Sequence, residues 1–197
     1  SVAYSPCGSL LVTVCEDGSI ALHNASRQHL PTKMMHMEFP PQHVHVAFGP
    51  AMRASHAEDN SFSASFFGVI GEHGNCLMVY DSQSVALRNQ ISCGNTSLSF
   101  SFTNSGREVV VVFKDQRMRF YSLARFEGTY LRELTACHRD NINATAISKN
   151  GGYLLTSGDD KLVKVWDYEA QKNVPFFQQS FIGHTYPCDT LMLNPLD

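Results

Sequence analysis

No stretch of this sequence approaches the ~18 consecutive apolar residues of a membrane-crossing helix, so contact with membrane is not expected. Neither sign of charge dominates. There are 15 Lys and Arg against 18 Asp and Glu, a formal net charge of −3, and a pI of about 6.3. Bulk attraction to nucleic acid or to an acidic membrane is therefore not expected either. A basic leader is missing: the chain opens SVAYSPCGSL, without Met and in mid-pattern, and reads as an internal piece of a longer protein. None of its six cysteines (Cys7, Cys15, Cys76, Cys93, Cys137, Cys188) forms a CxxC pair, and most sit in apolar runs. They read as reduced, buried thiols of a cytoplasmic protein. Nor does any segment hold a helical period over ten or more residues.

What remains is a globular composition, 43% hydrophobic and 17% charged, in a 197-residue chain long enough for a sizeable core. Its segments are short, alternating and bounded by turn residues. Ser97 to Phe102 alternates polar and apolar, which predicts a half-buried strand with Leu98, Phe100 and Phe102 facing inward. Asn104-Ser105-Gly106 turns the chain into an apolar strand from Val109 to Phe113, and Asp115-Gln116 turns it again into Arg117 to Tyr121. The fold class is all-β.

The turns repeat. The segments starting at Asp17, Gly74, Asp115 and Asp160 each read turn, alternating strand, bulky ring, small polar residue. The rings are His23, Tyr80, Tyr121 and Trp166, spaced by 57, 41 and 45 residues. The last two spacings match the ~40–45 residues of one four-stranded propeller blade. The first is longer, and the polar stretch Ala51 to Ser61 accounts for the excess as an exposed loop between two strands.

The fourth unit carries the fullest pattern: Cys137-His138, a strand from Ile142 to Ser148, the turn Lys149 to Gly152, a strand from Tyr153 to Ser157, Gly158-Asp159-Asp160 and Trp166-Asp167. Gly183-His184 follows. His138, Thr156 and Asp160 precede Trp166 by 28, ten and six residues. In these residues the chain resembles the WD-repeat family, and the resemblance implies a β-propeller of which about four blades of a larger ring are present. The implied units are 1–40, 41–92, 93–137 and 138–187, with 188–197 starting another blade. Residues 175–181 would be the outer strand of the fourth blade and 188–194 the inner strand of a fifth. The other units are degenerate: unit one keeps Thr13 and Asp17 but has His23 for Trp, units two and three have Tyr, and Gly74 replaces the turn Asp of unit two.

The resemblance also implies a structural tetrad of His138, Thr156, Asp160 and Trp166. An Asp can hold the imidazole N–H, the His can reach the hydroxyl, and the hydroxyl can accept from the indole, so each buried polar group is satisfied. The competing reading is a catalytic His–Asp pair with Thr156 as nucleophile, but no oxyanion-hole motif accompanies it. His43 and His45 share a strand face, yet no Cys or carboxylate lies at ligand-like spacing, so no metal is expected. The glycine-rich run 68–74 lacks the Lys and helix of a phosphate loop. No cofactor, small-molecule substrate or enzymatic activity is expected.

The expected function is protein binding. In this family the residue before each turn Asp position points to the interaction face; here these are Glu16, His73, Lys114 and Asp159, whose mixed charges suit a protein partner. The third unit is locally basic, with Arg107, Lys114, Arg117, Arg119, Arg125 and Arg132 against Glu108, Asp115, Glu127 and Glu133. Arg117 and Arg119 share a strand face, either as a solvated blade face or as a contact for an acidic partner such as tubulin. The chain looks most like WD-repeat scaffolds of cilia and centrioles, which implies a cytoskeletal location and tubulin or other axonemal or centriolar partners. The rival is a substrate receptor of a cullin-type ubiquitin ligase. Such receptors carry Trp-Asp-x-Arg, whereas Trp166-Asp167-Tyr168-Glu169 ends in Glu.

Overall fold

A computed structural model describes residues 1–25, 31–37, 44–53, 62–64, 66–71, 75–94, 96–168 and 176–193. Regular structure among them is entirely β-strand. The chain divides into two compact units, Ser1–Gly94 and Asn95–Asp197, each holding two four-stranded antiparallel sheets.

In the first unit β1 (Val2–Tyr4), β2 (Leu10–Val14), β3 (Ser19–Asn24) and β4 (Pro31–His36) pair in chain order. The second sheet starts at β5 (Val44–Phe48). The chain then leaves it through β6 (Ala51–Arg53) and β7 (Phe62–Ala64), which pair with each other. It returns as β8 (Phe66–Gly71), β9 (Cys76–Asp81) and β10 (Leu87–Ser92). The segment expected as a plain loop from Ala51 to Ser61 is thus corrected at its start. Ala51, Met52 and Arg53 lie in register with Ala64, Ser63 and Phe62, because extended backbone on both sides of an insertion can satisfy its own N–H and C=O groups. Residues 54–61 lie outside the described residues.

The second unit repeats the plan with β11 (Ser97–Phe102), β12 (Glu108–Phe113), β13 (Met118–Ser122) and β14 (Thr129–Leu134), then β15 (Ile142–Ile147), β16 (Tyr153–Gly158), β17 (Val163–Asp167) and β18 (Phe176–Phe181). No strand forms over Cys188–Leu193, so the expected inner strand of a fifth blade is not present there. Cys188 instead bonds back to the fourth sheet. Its amide donates to the Gly158 carbonyl (3.2 Å), and its carbonyl accepts from Ser157 Oγ (3.1 Å).

Each unit has its own apolar cluster. In the first, Val12, Val14, Ile20 and Leu22 meet Val46, Phe67, Val69 and Tyr80 of the neighbouring sheet. In the second, Val110, Val112, Met118 and Phe120 meet Ile142, Leu154, Trp166 and Tyr168. Each such side chain contributes roughly 1.5–3 kcal/mol by leaving water. β12 is buried from Val109 to Phe113 and so covered on both faces, which explains why it runs through four consecutive valines.

Two local devices recur. The first is a bulge between the third and fourth strands, always next to the ring residue. The register slips between Leu22 and His23, Val79 and Tyr80, Phe120 and Tyr121, and Val165 and Trp166. The extra residue always lies on the outer strand, which adds local twist at the same height in every blade. The second is a hydroxyl-led turn between the first two strands. Ser5, Thr103 and Ser148 each accept, through the carbonyl, an amide three residues on (2.8 Å in all three). Their side-chain oxygens accept the amides of Leu10, Glu108 and Tyr153. The third turn residue, Gly8, Gly106 or Gly151, takes positive φ, which glycine tolerates without steric cost.

A further bulge corrects the reading of β11. The register slips between Ser97 and Ser99, so Leu98 is out of phase and only half-buried, while Ser97, Ser99, Phe100 and Phe102 are buried. The cysteines also depart from expectation. None forms a disulfide, but Cys7 and Cys15 are exposed, because they lie in turns rather than in strands.

Candidate functional site

The fourth blade brings His138, Thr156, Asp160 and Trp166 together. His138 precedes β15, Thr156 is central in β16, Asp160 lies in the β16–β17 turn and Trp166 is near the end of β17. His138 Nδ1 lies 2.8 Å from Asp160 Oδ1, and His138 Nε2 lies 2.8 Å from Thr156 Oγ1. Trp166 Nε1 donates to that same hydroxyl at 2.9 Å. One proton arrangement satisfies all of these contacts. His138 donates from Nδ1 to the carboxylate and accepts at Nε2 from Thr156, whose oxygen accepts from the indole. Asp160 also takes the amides of Arg139 and Leu162, at 3.0 and 3.2 Å.

The electrostatics fit a neutral imidazole. Burial pushes the His138 pKa down, and the adjacent Asp160 offsets this only in part. Burial would raise the Asp160 carboxyl, but the Arg139 amide and His138 outweigh it and hold the group below its ordinary range. Thr156 and His138 are buried, and the hydroxyl is already engaged with both partners. A nucleophile needs access to a substrate, and this hydroxyl has none.

The degenerate first blade retains part of the device. Thr13 Oγ1 lies 3.3 Å from His23 Nε2, so an imidazole stands where blade four has an indole, at the same ten-residue spacing. In blade two Tyr80 instead donates to Met78 Sδ at 3.3 Å. Tyr80 stacks on Phe67, with ring centroids 5.5 Å apart.

The residues expected on an interaction face differ in how they are held. Glu16 and Lys114 are exposed. Asp159 is half-buried and accepts from Asn141 Nδ2 (2.9 Å) and Asn143 Nδ2 (2.7 Å), so its carboxylate is committed within the blade. His73 lies outside the described residues.

Arg117 and Arg119 are both paired with carboxylates of their own blade, Arg117 with its side chain 41% exposed. The β13–β14 register sets Arg119 opposite Glu133, and the two form an ion pair. Arg119 also lies over the Phe113 ring, 4.9 Å from its centroid, and its side chain is only 17% exposed. Arg117 is 3.2 Å from Asp115 and 3.6 Å from Glu133. Both guanidinium groups are therefore offset inside the blade.

Sequence reading also missed a latch between blades three and four. Tyr168 OH donates to Glu108 Oε2 at 2.9 Å. Arg132 Nη2 reaches the same Tyr168 oxygen at 3.2 Å and Glu108 at 3.4 Å. The Arg132 guanidinium lies 4.2 Å from the Phe120 centroid, and Phe120 stacks on Tyr168 at 5.8 Å and 7°. The only signal was the apolar–aromatic pattern of β13, because pairing across 60 residues has no local signature. No group of three or more metal-ligating side chains gathers among the described residues.

Comparison with known proteins follows the same lines. The family described as WD domain, G-beta repeat matches residues 1–24 and 128–167, the segments that carry the Thr13–His23 contact and the complete tetrad. Cilia- and flagella-associated protein 52 of Mus musculus is 32% identical over 82 residues, which is 41% of this chain and 13% of that protein. WD repeat-containing protein 90 of Xenopus tropicalis is 26% identical over 206 residues, covering 98% of this chain and 10% of that protein. The chain thus spans a small fraction of the relatives that it matches. Among solved structures, the Cps50 (Swd1) beta-propeller domain of Myceliophteria thermophila superposes with a TM-score of 0.70 at 12% identity, over 91% of this chain and 56% of that one. Four four-stranded sheets, a buried His–Asp–Thr–Trp tetrad and these matches together give this chain the fold of a β-propeller, with similarity to WD repeats over residues 1–24 and 128–167.

Proposed function

We propose that this chain is a non-enzymatic protein-interaction scaffold in a microtubule-associated assembly of cilia or centrioles. The observation that carries the reading is the similarity to WD repeat-containing protein 90 across 98% of the chain, together with the match to a cilia- and flagella-associated protein. The fold supports a scaffold role. The His138–Asp160–Thr156 constellation is buried and internally satisfied, while the turn residues Glu16 and Lys114 are exposed with opposite charges. Such mixed surfaces suit protein partners, with tubulin and other axonemal or centriolar proteins as first candidates. The location that follows is cytoplasmic, on the cytoskeleton.

The test is co-sedimentation of the protein with microtubules, set beside pulldown of a cullin-ligase adaptor and imaging of the tagged protein in ciliated cells. Sedimentation with microtubules and a ciliary or centriolar signal are expected. Capture of the adaptor without microtubule binding would transfer the reading to a ligase receptor.

A further inference from the structure

The hydroxyl-led turns of blades one, three and four share a further contact. In each, the residue before the positive-φ glycine reaches back to the leading hydroxyl. Cys7 Sγ lies 3.4 Å from Ser5 Oγ, and Ser105 Oγ lies 3.1 Å from Thr103 Oγ1. In blade four this place belongs to Asn150, whose Oδ1 accepts from Ser148 Oγ at 2.6 Å. The same oxygen accepts the Gly152 amide at 2.9 Å. That second bond closes a ring of atoms that includes both Cγ of Asn150 and the Gly151 nitrogen, so the side chain is folded back along the main chain. Asn150 is exposed, and it is the only asparagine of the chain that glycine follows. Glycine has no Cβ to crowd its own nitrogen. The turn also touches blade three: Asn104 Nδ2 donates to the Ser148 carbonyl at 3.0 Å and to the Lys149 carbonyl.

We propose that Asn150-Gly151 is a self-modifying site: the folded chain deamidates there, and the isoaspartate that results undoes the contact between the turns of blades three and four. The chemistry needs only water and solvent base. The Gly151 nitrogen gives its proton to base and attacks Cγ of Asn150. The N–Cγ bond forms, the Cγ–Nδ2 bond breaks, and Nδ2 takes up a proton and leaves as ammonia. The succinimide then consumes one water and opens at either carbonyl. Opening at Cγ leaves aspartate in an ordinary main chain; opening at the α-carbonyl leaves isoaspartate, with the main chain running through Cγ. During the attack negative charge gathers on Oδ1, where the Gly152 amide and the Ser148 hydroxyl already donate. One bond opposes the reaction. The Gly151 amide donates to the Ser148 carbonyl at 2.8 Å and must open before its proton is lost. Lys149 and Asn150 are exposed, so that opening is local and leaves the blade folded. The two products act differently. Aspartate keeps an oxygen for Ser148 and Gly152. Isoaspartate lengthens the turn by one main-chain carbon, which displaces the carbonyls that Asn104 holds.

The test incubates the whole chain at neutral and at mildly alkaline pH and maps its peptides by mass spectrometry, with electron-based fragmentation to tell isoaspartate from aspartate. Conversion at Asn150 is expected to run at least about tenfold faster than at any other asparagine, because no other is followed by a residue without a Cβ. It should speed up about tenfold per pH unit, as the Gly151 amide loses its proton more often. In the isoaspartate form the side-chain amide resonances of Asn104 should move to the positions of a solvated amide. Asn150→Ser, which copies Ser105 of blade three, removes the reacting amide and should hold those resonances fixed on ageing. No conversion at Asn150 while other asparagines convert, or conversion only after urea has unfolded the chain, overturns the site. Unmoved Asn104 resonances in the isoaspartate form, or an equal drift in Asn150→Ser, overturn its effect on the contact between blades.

Discussion

Thr156 uses one hydroxyl twice, as donor to His138 and as acceptor from Trp166, so the tetrad fails as a unit when a member is lost. Asp160→Ala leaves the imidazole N–H and two amides without their acceptor, and it should cost about 1–3 kcal/mol in urea denaturation. The tetrad also sets a pH dependence. The His138 pKa is held below its ordinary value in the fold, chiefly by burial, so the unfolded chain binds that proton more readily. Stability should therefore decline as pH falls through about 6.5, and the gap between wild type and His138→Gln should narrow between about pH 7.5 and 5.5. Asp160 adds a second loss in the same direction at lower pH. Its depressed pKa stabilises the fold above about 3.9, and that contribution disappears as the carboxylate protonates. A urea midpoint that is flat across this range would show that His138 is not buried as a neutral ring. The tetrad residues could be named from the resemblance to WD repeats, in which each holds a set place. The pairing of Arg119 with Glu133 could not, because it depends on a cross-strand register displaced by a bulge.

At the scale of elements, turns decide what each blade tolerates. Gly49 ends the first strand of blade two where Ser5, Thr103 and Ser148 stand in the others, and its amide bonds to the Phe66 carbonyl at 3.0 Å. A Cβ on Gly49 would come within 2.3 Å of the Phe66 ring, so Gly49→Ala should destabilise by about 1–3 kcal/mol through forced repacking. Lys161 shows the reverse case. It follows Asp160 with φ of 64°, a conformation that strains any side chain with a Cβ. Lys161→Gly should raise the melting temperature, for a gain of about 0.5 kcal/mol after the added entropy of the unfolded chain. A lower melting temperature would mean that the lysine side chain contributes contacts that outweigh the strain. Strand identity was readable from alternation and turn residues. The four bulges were not, since the inserted residues Thr32, Arg88, Leu131 and Gln178 have no chemistry in common.

Across the whole molecule, the two units hold separate apolar clusters, one in Ser1–Gly94 and one in Asn95–Asp197. Damage to the tetrad should therefore be felt unevenly. Hydrogen exchange of Asp160→Ala should show loss of amide protection concentrated in 95–197; equal loss in 1–94 would mean that the units open together. The all-β class and the repeat were evident from turn spacing. The hairpin built into blade two and the missing strand after Cys188 were not, because both turn on which backbone partners are at hand. One last property follows from Trp166. It is the only tryptophan among the 197 residues, and its ring is 7% exposed with its N–H held by Thr156. Light absorbed at the red edge of the aromatic band therefore enters the protein at a single address, and the colour of the emission reports on blade four alone. Protonation of His138, two hydrogen bonds from that indole through Thr156, should dim the glow before any strand comes apart, so the molecule carries its own dye.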